Sequence, residues 1–492
     1  MATDEKKVVL ADEKIEAIND TAGNHIDPEA EKKLLRKLDI RVLPPLFVLF
    51  LLAFLDRTNV GNAKIQGLTK DLNMVGPDYN IALFVFFIPY IIFELTIFEV
   101  PSNIILKKVA PSTWLSSIMV LWGICTLGQG LVRNFESLVA LRVLVGLFEA
   151  GLFPGCVYLI SMYYKRHELQ WRFTLFFSAS IVAGGFGGLF AFALAKMNGI
   201  GGYAGWRWIF LIEGILTVVL GVVSKFWITD WPETAKFLTD DERALLIARL
   251  SADTGSATMN HLDKRAARRI FSDVKIYLGT VMYFGIVNTG YAGSFFIPTI
   301  IKELGYTSSA AQVRSIPIFV VATVTALSAS WLSDRLRHRF WFCIFGLVVA
   351  SVGYILLLCG STLSAGVKYF ALFLIVPGGY ICQPIVLVWV SNLMSGHYKR
   401  SVSSGMQVGL GNIGGIVASN VFLESEAKDA RYPTGYGVSL GMLWICGAAS
   451  VALFFYVKRE NGKRERGERD HRLEGDDREN LGDDHPLFKF TT

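Results

Sequence analysis

The sequence predicts an all-α polytopic membrane protein with twelve transmembrane helices in two six-helix bundles. Of the 492 residues, 52% are hydrophobic and only 18% are charged, a composition that is rare among soluble domains of this size. The apolar residues form runs of about 20 residues or more, the length that a helix needs to cross a bilayer. These runs lack the alternation of apolar and polar residues that barrel strands show, so we expect helices.

Two sets of six apolar runs flank a polar interval. The first set lies near residues 43–64, 80–108, 113–133, 136–163, 172–196 and 206–229. The second set lies near residues 273–300, 313–335, 339–360, 367–392, 400–424 and 436–458. We therefore divide the chain into an N-terminal tail (1–42), a first bundle (43–229), a linker (230–272), a second bundle (273–458) and a C-terminal tail (459–492). The charged C-terminal tail is expected to be disordered.

The two halves resemble each other locally. YYKRHELQWR precedes a helix that contains GGFGG, and GHYKRS precedes another that contains GLGNIGG. Arg172 precedes Gly187 by nearly the same interval as Arg400 precedes Gly414. Parallel repeats of this kind build two bundles that rock about a midplane site in one class of membrane proteins. Chance similarity is the alternative.

The basic residues favour loops over a nucleic-acid-binding surface. The net charge is +6, but Lys and Arg lie in short clusters between apolar runs. Short loops carry similar numbers of Lys and Arg on each side, so the orientation depends on the tails and the linker. Their basic residues include Lys32, Lys33, Arg36, Lys37, Arg41, Lys264, Arg265, Arg268, Arg269, Lys458 and Arg459. We expect both termini and the linker to be cytoplasmic, and no nucleic-acid partner.

No cofactor or catalytic centre is expected. The cysteines fall inside apolar runs without paired metal-ligand spacing, so they are interpreted as buried small apolar residues without disulfides; they are Cys125, Cys156, Cys343, Cys359, Cys382 and Cys446. The sequence contains no HExxH, no GxxxxGK[ST], and no GxSxG in a strand-turn-helix setting. It therefore does not point to an enzyme.

Five motifs carry a family resemblance. They are LDRTNVGNA in helix 1, FEVPSNIILKK in helix 2, LRVLVGLFEAGLFPG in helix 4, GWRWIFLIEG in helix 6 and SDRLRHRF after helix 8. Together they resemble the major facilitator superfamily, and within it the anion:cation symporter family, especially its fungal allantoate and nicotinate permease branch. The resemblance extends from about Arg41 to Arg459. FFIPYIIFELTIFEVPSN is about five residues longer than the corresponding stretch in relatives, so roles on helix 2 do not transfer directly.

The resemblance implies proton-coupled symport by alternating access. The substrate would be a small organic anion such as nicotinate or allantoate, taken up by a monomer in the plasma membrane with the proton as coupling ion. A metabolite exporter or facilitative carrier of the same fold is the first alternative. A nutrient sensor that does not transport is the second.

Charged residues within predicted membrane helices are concentrated in the first half. Each such group costs several kcal/mol, roughly 2.5–3.5 on insertion scales, and persists mainly where it pairs or lines a cavity. The residues are Asp56, Arg57, Glu94, Glu99, Arg142, Glu149 and Glu213. The cores of helices 7, 10 and 11 contain no comparable charge. The halves are therefore expected to divide the work.

Helix 4 supplies one candidate pair of functional residues. Arg142 and Glu149 are seven residues apart, so they share a face but are too far apart for a direct ion pair. By the resemblance, Arg142 binds the substrate carboxylate and Glu149 couples the proton. The alternative is that both residues only hold helices together.

Helix 1 supplies a second pair. Asp56 and Arg57 are adjacent and point about 100° apart, so one faces the substrate and the other a neighbouring helix. The resemblance implies that Asp56 is the second proton-coupling carboxylate. It also implies that Arg57 provides a positive field for the substrate or gates the cavity by exchanging partners with Glu149. Glu94 is left open between a functional role and an interhelical contact.

The second half supplies uncharged groups. Asn288, Tyr291, Gln383 and Asn412 are predicted to read the shape of the substrate, although interhelical hydrogen bonding is the alternative for each. Asn412 is favoured because it lies in a Gly-rich break.

The loop after helix 8 is a candidate gate. Asp334, Arg335 and Arg339 match the superfamily's loop motif, which implies a latch between neighbouring helices. The corresponding loop of the first half keeps Lys107 and Lys108 but has no acidic member.

Overall fold

The structure is a computed structural model that describes residues 27–99, 110–165, 168–254, 264–336, 338–360, 363–395, 397–426, 432–474, 481–486 and 488–491. Within these ranges the regular structure is helical. Nine helical spans in this part of the chain are long and apolar enough to cross a membrane. The predicted class, an all-α polytopic membrane protein, is confirmed.

Helices follow one another closely along the chain. In the first half they are α1 (Pro28–Ile65), α2 (Leu68–Asp71), α3 (Asp78–Phe84), α4 (Phe87–Glu99), α5 (Pro111–Gln129), α6 (Phe135–Glu149), α7 (Leu152–Tyr163), α8 (Leu169–Ala195) and α9 (Gly205–Trp227). In the linker they are α10 (Asp240–Thr254) and α11 (Lys264–Phe271). In the second half they are α12 (Val274–Glu303), α13 (Ser308–Leu336), α14 (Phe340–Leu358), α15 (Ala365–Asn392), α16 (His397–Gly411), α17 (Ile413–Val421) and α18 (Pro433–Glu465).

Helix α1 begins well before the apolar run that predicts it. The Asp27 carboxylate accepts a hydrogen bond from the Glu29 amide at 3.0 Å, and Pro28 fills the first helical position, where no amide proton is needed. Leu34 and Leu38 then form a buried stripe at i, i+4 spacing. Part of the segment assigned to the N-terminal tail is therefore the first turns of α1.

Three predicted membrane spans are interrupted. Among the described residues, the second span contains α3 and α4, the fourth contains α6 and α7, and the eleventh contains α16 and α17, which meet at Asn412. In the fourth span, Gly151 precedes α7, and Pro154 has no amide proton to bond the preceding turn. These breaks place irregular backbone beside the centre of the protein, where it can be buried.

The two halves meet along α8 and α13. A Cβ atom on Gly184 would lie 2.3 Å from the Phe319 ring, and one on Gly188 would lie 2.8 Å from the Ser315 hydroxyl. Glycine therefore permits a close approach at both places. We call the end of the bundle where α1 begins and α18 ends the terminal end, and the other the opposite end.

Hydrogen bonds also join the halves at the opposite end. Gln66 Nε2 donates to Gln312 Oε1 at 3.3 Å, and the Ser308 hydroxyl donates to the Ile65 main-chain carbonyl at 3.1 Å. Together with the close packing of α8 on α13, these bonds keep the opposite end shut.

The C-terminal tail contains ordered structure. Helix α18 continues to Glu465, and residues 481–486 and 488–491 pack against the terminal end of the second half. The expectation of disorder is wrong for these residues, because Asp483 and Phe490 find buried partners on the bundle. Lys107, Lys108 and the Glu99 side chain lie outside the described residues.

Candidate functional site

A buried ion pair occupies the centre of the protein. The Arg57 guanidinium donates from Nε to Glu149 Oε1 at 2.7 Å, and its Nη2 lies 2.7 Å from the same oxygen. The two side chains are only 5% and 1% exposed. The structure thus brings α1 into contact with α6, the first part of the predicted helix 4. The hypothesis that Arg57 and Glu149 exchange partners requires this contact.

Aromatic rings surround the Arg57 guanidinium. Its central carbon lies 5.0 Å from the ring centres of Phe54 and Phe86 and 4.8 Å from that of Tyr90. The faces of aromatic rings attract cations, and they also exclude water from the ion pair. Arg57 is therefore held in place by both charge and packing.

A chain of hydrogen bonds extends from Arg57 into the second half. Arg57 Nη1 donates to the Tyr291 hydroxyl, which donates to Asn412 Oδ1 at 3.2 Å. Asn412 Nδ2 in turn donates to Glu94 Oε2 at 3.3 Å. Two residues of the second half thus connect Arg57 with Glu94, both from the first half. Glu94, whose role the sequence left open, therefore belongs to this network.

Arg142 lies in the same buried region but has fewer partners. Its Nε donates to the Ala82 carbonyl at 3.2 Å, and its guanidinium lies 5.1 Å from the Phe86 ring centre, so Phe86 contacts both arginines. Arg142 Nη2 has no hydrogen-bond partner among the described residues, although the side chain is buried. Arg142 and Glu149 interact through space without a direct ion pair, in keeping with their spacing. Arg142 therefore has capacity for an additional acceptor.

Asp56 points away from Arg57, toward α5. The Trp122 indole nitrogen and the Thr126 hydroxyl both donate to Asp56 Oδ2, the latter at 3.2 Å, whereas Oδ1 has no partner within the described part of the chain. Glu213, which is fully buried, interacts electrostatically with Asp56. The sequence did not single out Trp122 or Thr126, since one polar atom in an apolar run carries little information.

Comparison with known proteins identifies the family. The sequence model of the Major Facilitator Superfamily matches residues 46–419. The chain belongs to the Major Facilitator Superfamily. It is 35% identical over 444 residues to an uncharacterised transporter of Schizosaccharomyces pombe, covering 90% of this chain and 87% of that protein.

A relative with a named substrate also matches over most of its length. The chain is 31% identical over 473 residues to the high-affinity nicotinic acid transporter of Saccharomyces cerevisiae, covering 94% of this chain and 85% of the relative. Such relatives support the fungal permease-like branch and a function in transport. A bacterial homologue of the human lysosomal transporter Spinster, solved in an inward-facing and occupied conformation, shares the fold. Its TM-score is 0.60 at 16% identity, covering 88% of this chain and 98% of that one.

Two other candidates from this facilitator's second half lie apart from the central hydrogen bonds. Asn288 Nδ2 donates to the Ser439 hydroxyl at 2.8 Å, which links α12 to α18. Gln383 interacts with the Tyr283 hydroxyl and approaches Gly290, where a Cβ atom would lie 2.9 Å from Gln383 Oε1. Both residues therefore make interhelical contacts, the alternative that the sequence left open. Their predicted substrate contacts remain untested.

The loop motif after helix 8 forms a local contact in this structure. Arg339 Nη2 lies 3.6 Å from Asp334 Oδ1, and the exposed Arg335 lies over the Trp331 ring at 5.4 Å. An arrangement of this kind suits the predicted latch. Its role in gating stays a prediction.

The cysteines are buried with one exception. Cys359 is exposed, which contradicts its interpretation as a buried residue, because it follows the last turn of α14. Cys343, Cys382 and Cys446 have sulfur atoms within 4.8 Å of one another, an arrangement by which their helices pack and that linear spacing did not indicate. They lie among helices of the second half.

Proposed function

We propose that this facilitator imports a small organic anion together with protons, by alternating access. The observation that carries the proposal is the contrast between two buried arginines. Arg57 has Glu149 and Tyr291 as partners, whereas Arg142 Nη2 has no acceptor among the described residues. A buried guanidinium without a full set of acceptors is costly, and a substrate carboxylate would supply one.

The substrate would bind between the two halves. Arg142 reaches this region from α6, while Tyr291 and Asn412 reach it from the second half. Phe86 and the other rings near Arg57 offer apolar surfaces against which a flat ring could pack. An aromatic carboxylate such as nicotinate suits these groups, and allantoate is the polar alternative.

Proton coupling would act through the Arg57–Glu149 pair. If Glu149 takes up a proton, Arg57 loses its ionic partner and its positive charge becomes available to the substrate anion. Asp56 is the second candidate, because Oδ1 lacks a partner within the described residues. The proton and the anion then favour the same transition, and this shared preference couples their movement.

Rocking of the two halves would break and remake the central hydrogen bonds. Tyr291 and Asn412 join Arg57 to Glu94 across the interface between the halves, so separation of the bundles must change these contacts. The relation to the yeast nicotinic acid transporter supports a carboxylate substrate. We further propose that the protein works as a monomer in the plasma membrane, with both termini in the cytoplasm and without a cofactor.

Uptake by vesicles with imposed pH gradients tests this function. Radiolabelled nicotinate, allantoate and other carboxylates would be offered to wild type, Arg142→Ala, Glu149→Gln and the control Arg133→Ala, which alters an exposed arginine at the start of the same span. We expect accumulation driven by an acidic exterior in wild type and the control only. Arg142→Ala should abolish binding, while Glu149→Gln should retain exchange without accumulation.

Other outcomes separate the alternatives. Uptake that equilibrates without responding to the proton gradient would identify a facilitative carrier, and efflux under the opposite gradient an exporter. Binding without movement would identify a sensor. Survival of uptake in Arg142→Ala would refute the assigned substrate contact.

A further inference from the structure

The C-terminal tail places a buried carboxylate on the second half. Asp483 is 0% exposed, although it lies eighteen residues beyond the end of α18 at Glu465. Its Oδ2 accepts hydrogen bonds from the ammonium groups of Lys275 at 2.5 Å and Lys399 at 2.9 Å. Its Oδ1 accepts from the Ser395 amide at 3.3 Å. This is more than the incidental contact of a charged tail.

The charges around Asp483 balance only when the tail is bound. Asp273 Oδ2 lies 2.6 Å from the Lys399 ammonium and 3.3 Å from that of Lys275. Asp273 and Asp483 together therefore match the two lysines. Without Asp483, two buried ammonium groups would share one carboxylate, an arrangement that a low-dielectric site disfavours. The site thus selects a carboxylate at this position.

The last described residues add contacts on both sides of the charged cluster. The Thr491 carbonyl accepts from the Trp389 indole at 3.2 Å, and Phe490 exchanges two hydrogen bonds with the Asn461 side chain at 2.9 and 3.1 Å. The Phe490 ring lies 4.1 Å from the Lys275 ammonium. The tail thereby connects α12, α15, α16 and α18.

Two of these helices carry the second half's share of the central network. Lys275 and Tyr291 both lie on α12, sixteen residues and about 24 Å apart. Lys399 lies on α16, which ends immediately before Asn412, thirteen residues and about 20 Å away. Helices α12 and α16 also pack against α1 and α4 of the first half. The positions of their terminal ends therefore bear on the hydrogen bonds at the centre.

We propose that residues 481–486 and 488–491 act as a strap that holds α12 and α16 in the arrangement of the shut opposite end. In this arrangement Tyr291 and Asn412 reach Arg57 and Glu94. Release of the strap frees the terminal ends of α12 and α16, which shifts the population toward molecules open at the opposite end. A segment can shift such an equilibrium only if it binds one state better, and the strap does so through the spacing of Lys275 and Lys399.

A substrate-free labelling experiment tests the strap. Ser315→Cys places a thiol at the shut interface between α8 and α13, where the native residue is 1% exposed; Cys359→Ser removes the exposed cysteine. The labelling rate by a bulky polar maleimide would be measured in purified full-length protein. The matched variants are Asp483→Asn and Asp484→Asn, since Asp484 forms its ion pair with Arg472 of the tail.

We expect Asp483→Asn to raise the labelling rate at least threefold and Asp484→Asn to leave it unchanged. A second arm joins Asn461→Cys to Phe490→Cys by oxidation, with labelling followed at position 315 alone by peptide mass spectrometry, because reduction frees two further thiols. The locked strap should lower this rate relative to the same protein after reduction. If Asp483→Asn misfolds, the locked pair decides alone, because one preparation is measured in both states. Equal rates with the strap locked and unlocked would overturn the proposal, whatever the uptake assays show.

Discussion

Arg57 and Glu149, 92 residues apart in sequence, form an ion pair at 2.7 Å that is shielded from solvent on all sides. Removing one member of such a pair leaves an uncompensated buried charge, which typically destabilises a protein by about 3–5 kcal/mol. Removing both avoids that penalty. The pair can therefore be tested by stability as well as by transport.

A double-mutant comparison should reveal strong coupling. We expect Arg57→Gln and Glu149→Gln each to lower the thermal unfolding midpoint in detergent, because each leaves the buried charge of the other residue uncompensated. The double variant should lose less stability than the two single variants lose together, by about 1.5 kcal/mol or more. Additive losses would show that the two side chains do not depend on each other.

The Tyr291 hydroxyl should matter for substrate affinity. Tyr291→Phe keeps the ring but removes the group that joins Arg57 to Asn412, which leaves buried polar groups unpaired at a cost of about 1–3 kcal/mol. We expect an apparent KM roughly tenfold higher, with the folded protein intact. Tyr203→Phe, at an exposed tyrosine, serves as the control. An unchanged KM would remove Tyr291 from the site.

The shut interface should not tolerate a side chain at Gly184. Gly184→Val would place Cβ within 2.3 Å of the Phe319 ring, so closure at the opposite end should be hindered and accessibility of that end raised. Gly441→Val is the matched control, because nothing lies within 4 Å of a Cβ atom there. Labelling of Ser315→Cys measures both variants. Equal labelling would mean that α8 and α13 adapt without opening.

Docking of the tail should be insensitive to pH near neutrality. Burial alone raises the pKa of Asp483, but attraction to Lys275 and Lys399 outweighs it and lowers the pKa from 3.8 to about 2. The carboxylate's contribution is complete above about pH 4 and is lost as the pH falls toward 2.

Hydrogen exchange of residues 481–491, corrected for the intrinsic rate, measures this docking directly. We expect constant protection between about pH 5 and 9. Loss of protection near pH 6 would show that another group controls the tail. Constant protection would also show that any acid dependence of uptake does not arise from docking of the strap. The buried carboxylates of the bundle would then be its source.

Hydropathy predicts the membrane class because every spanning helix needs a run of about 20 mostly apolar residues. It does not predict where α1 begins, since Leu34 and Leu38 belong to an amphipathic pattern outside the apolar run. The charged residues in apolar helices led to Arg57, Arg142 and Glu149 for the same energetic reason. Their geometry depends on contacts across distant helices, which spacing along the chain cannot give.

The tail shows the limit of composition most clearly. A short, highly charged segment is predicted to be disordered because a high density of charge opposes collapse. In this tail, however, the Asp483 carboxylate binds the ammonium groups of Lys275 and Lys399. Trp122 and Thr126 were missed for a related reason: their importance comes from the position of Asp56. Pairing of individual groups is a tertiary property.

The linker helix α10 is fastened to the first half, which sets a mechanical limit on the whole molecule. Arg249 Nε lies 2.8 Å from Glu31 Oε1, and the Lys37 ammonium lies 2.6 Å from Glu242 Oε2, so α10 must travel with α1. Helix α10 ends at Thr254 and α11 begins at Lys264, ten peptide units further along the chain. Ten peptide units reach at most about 35 Å. This covalent length limits how far the terminal ends of the two bundles can separate.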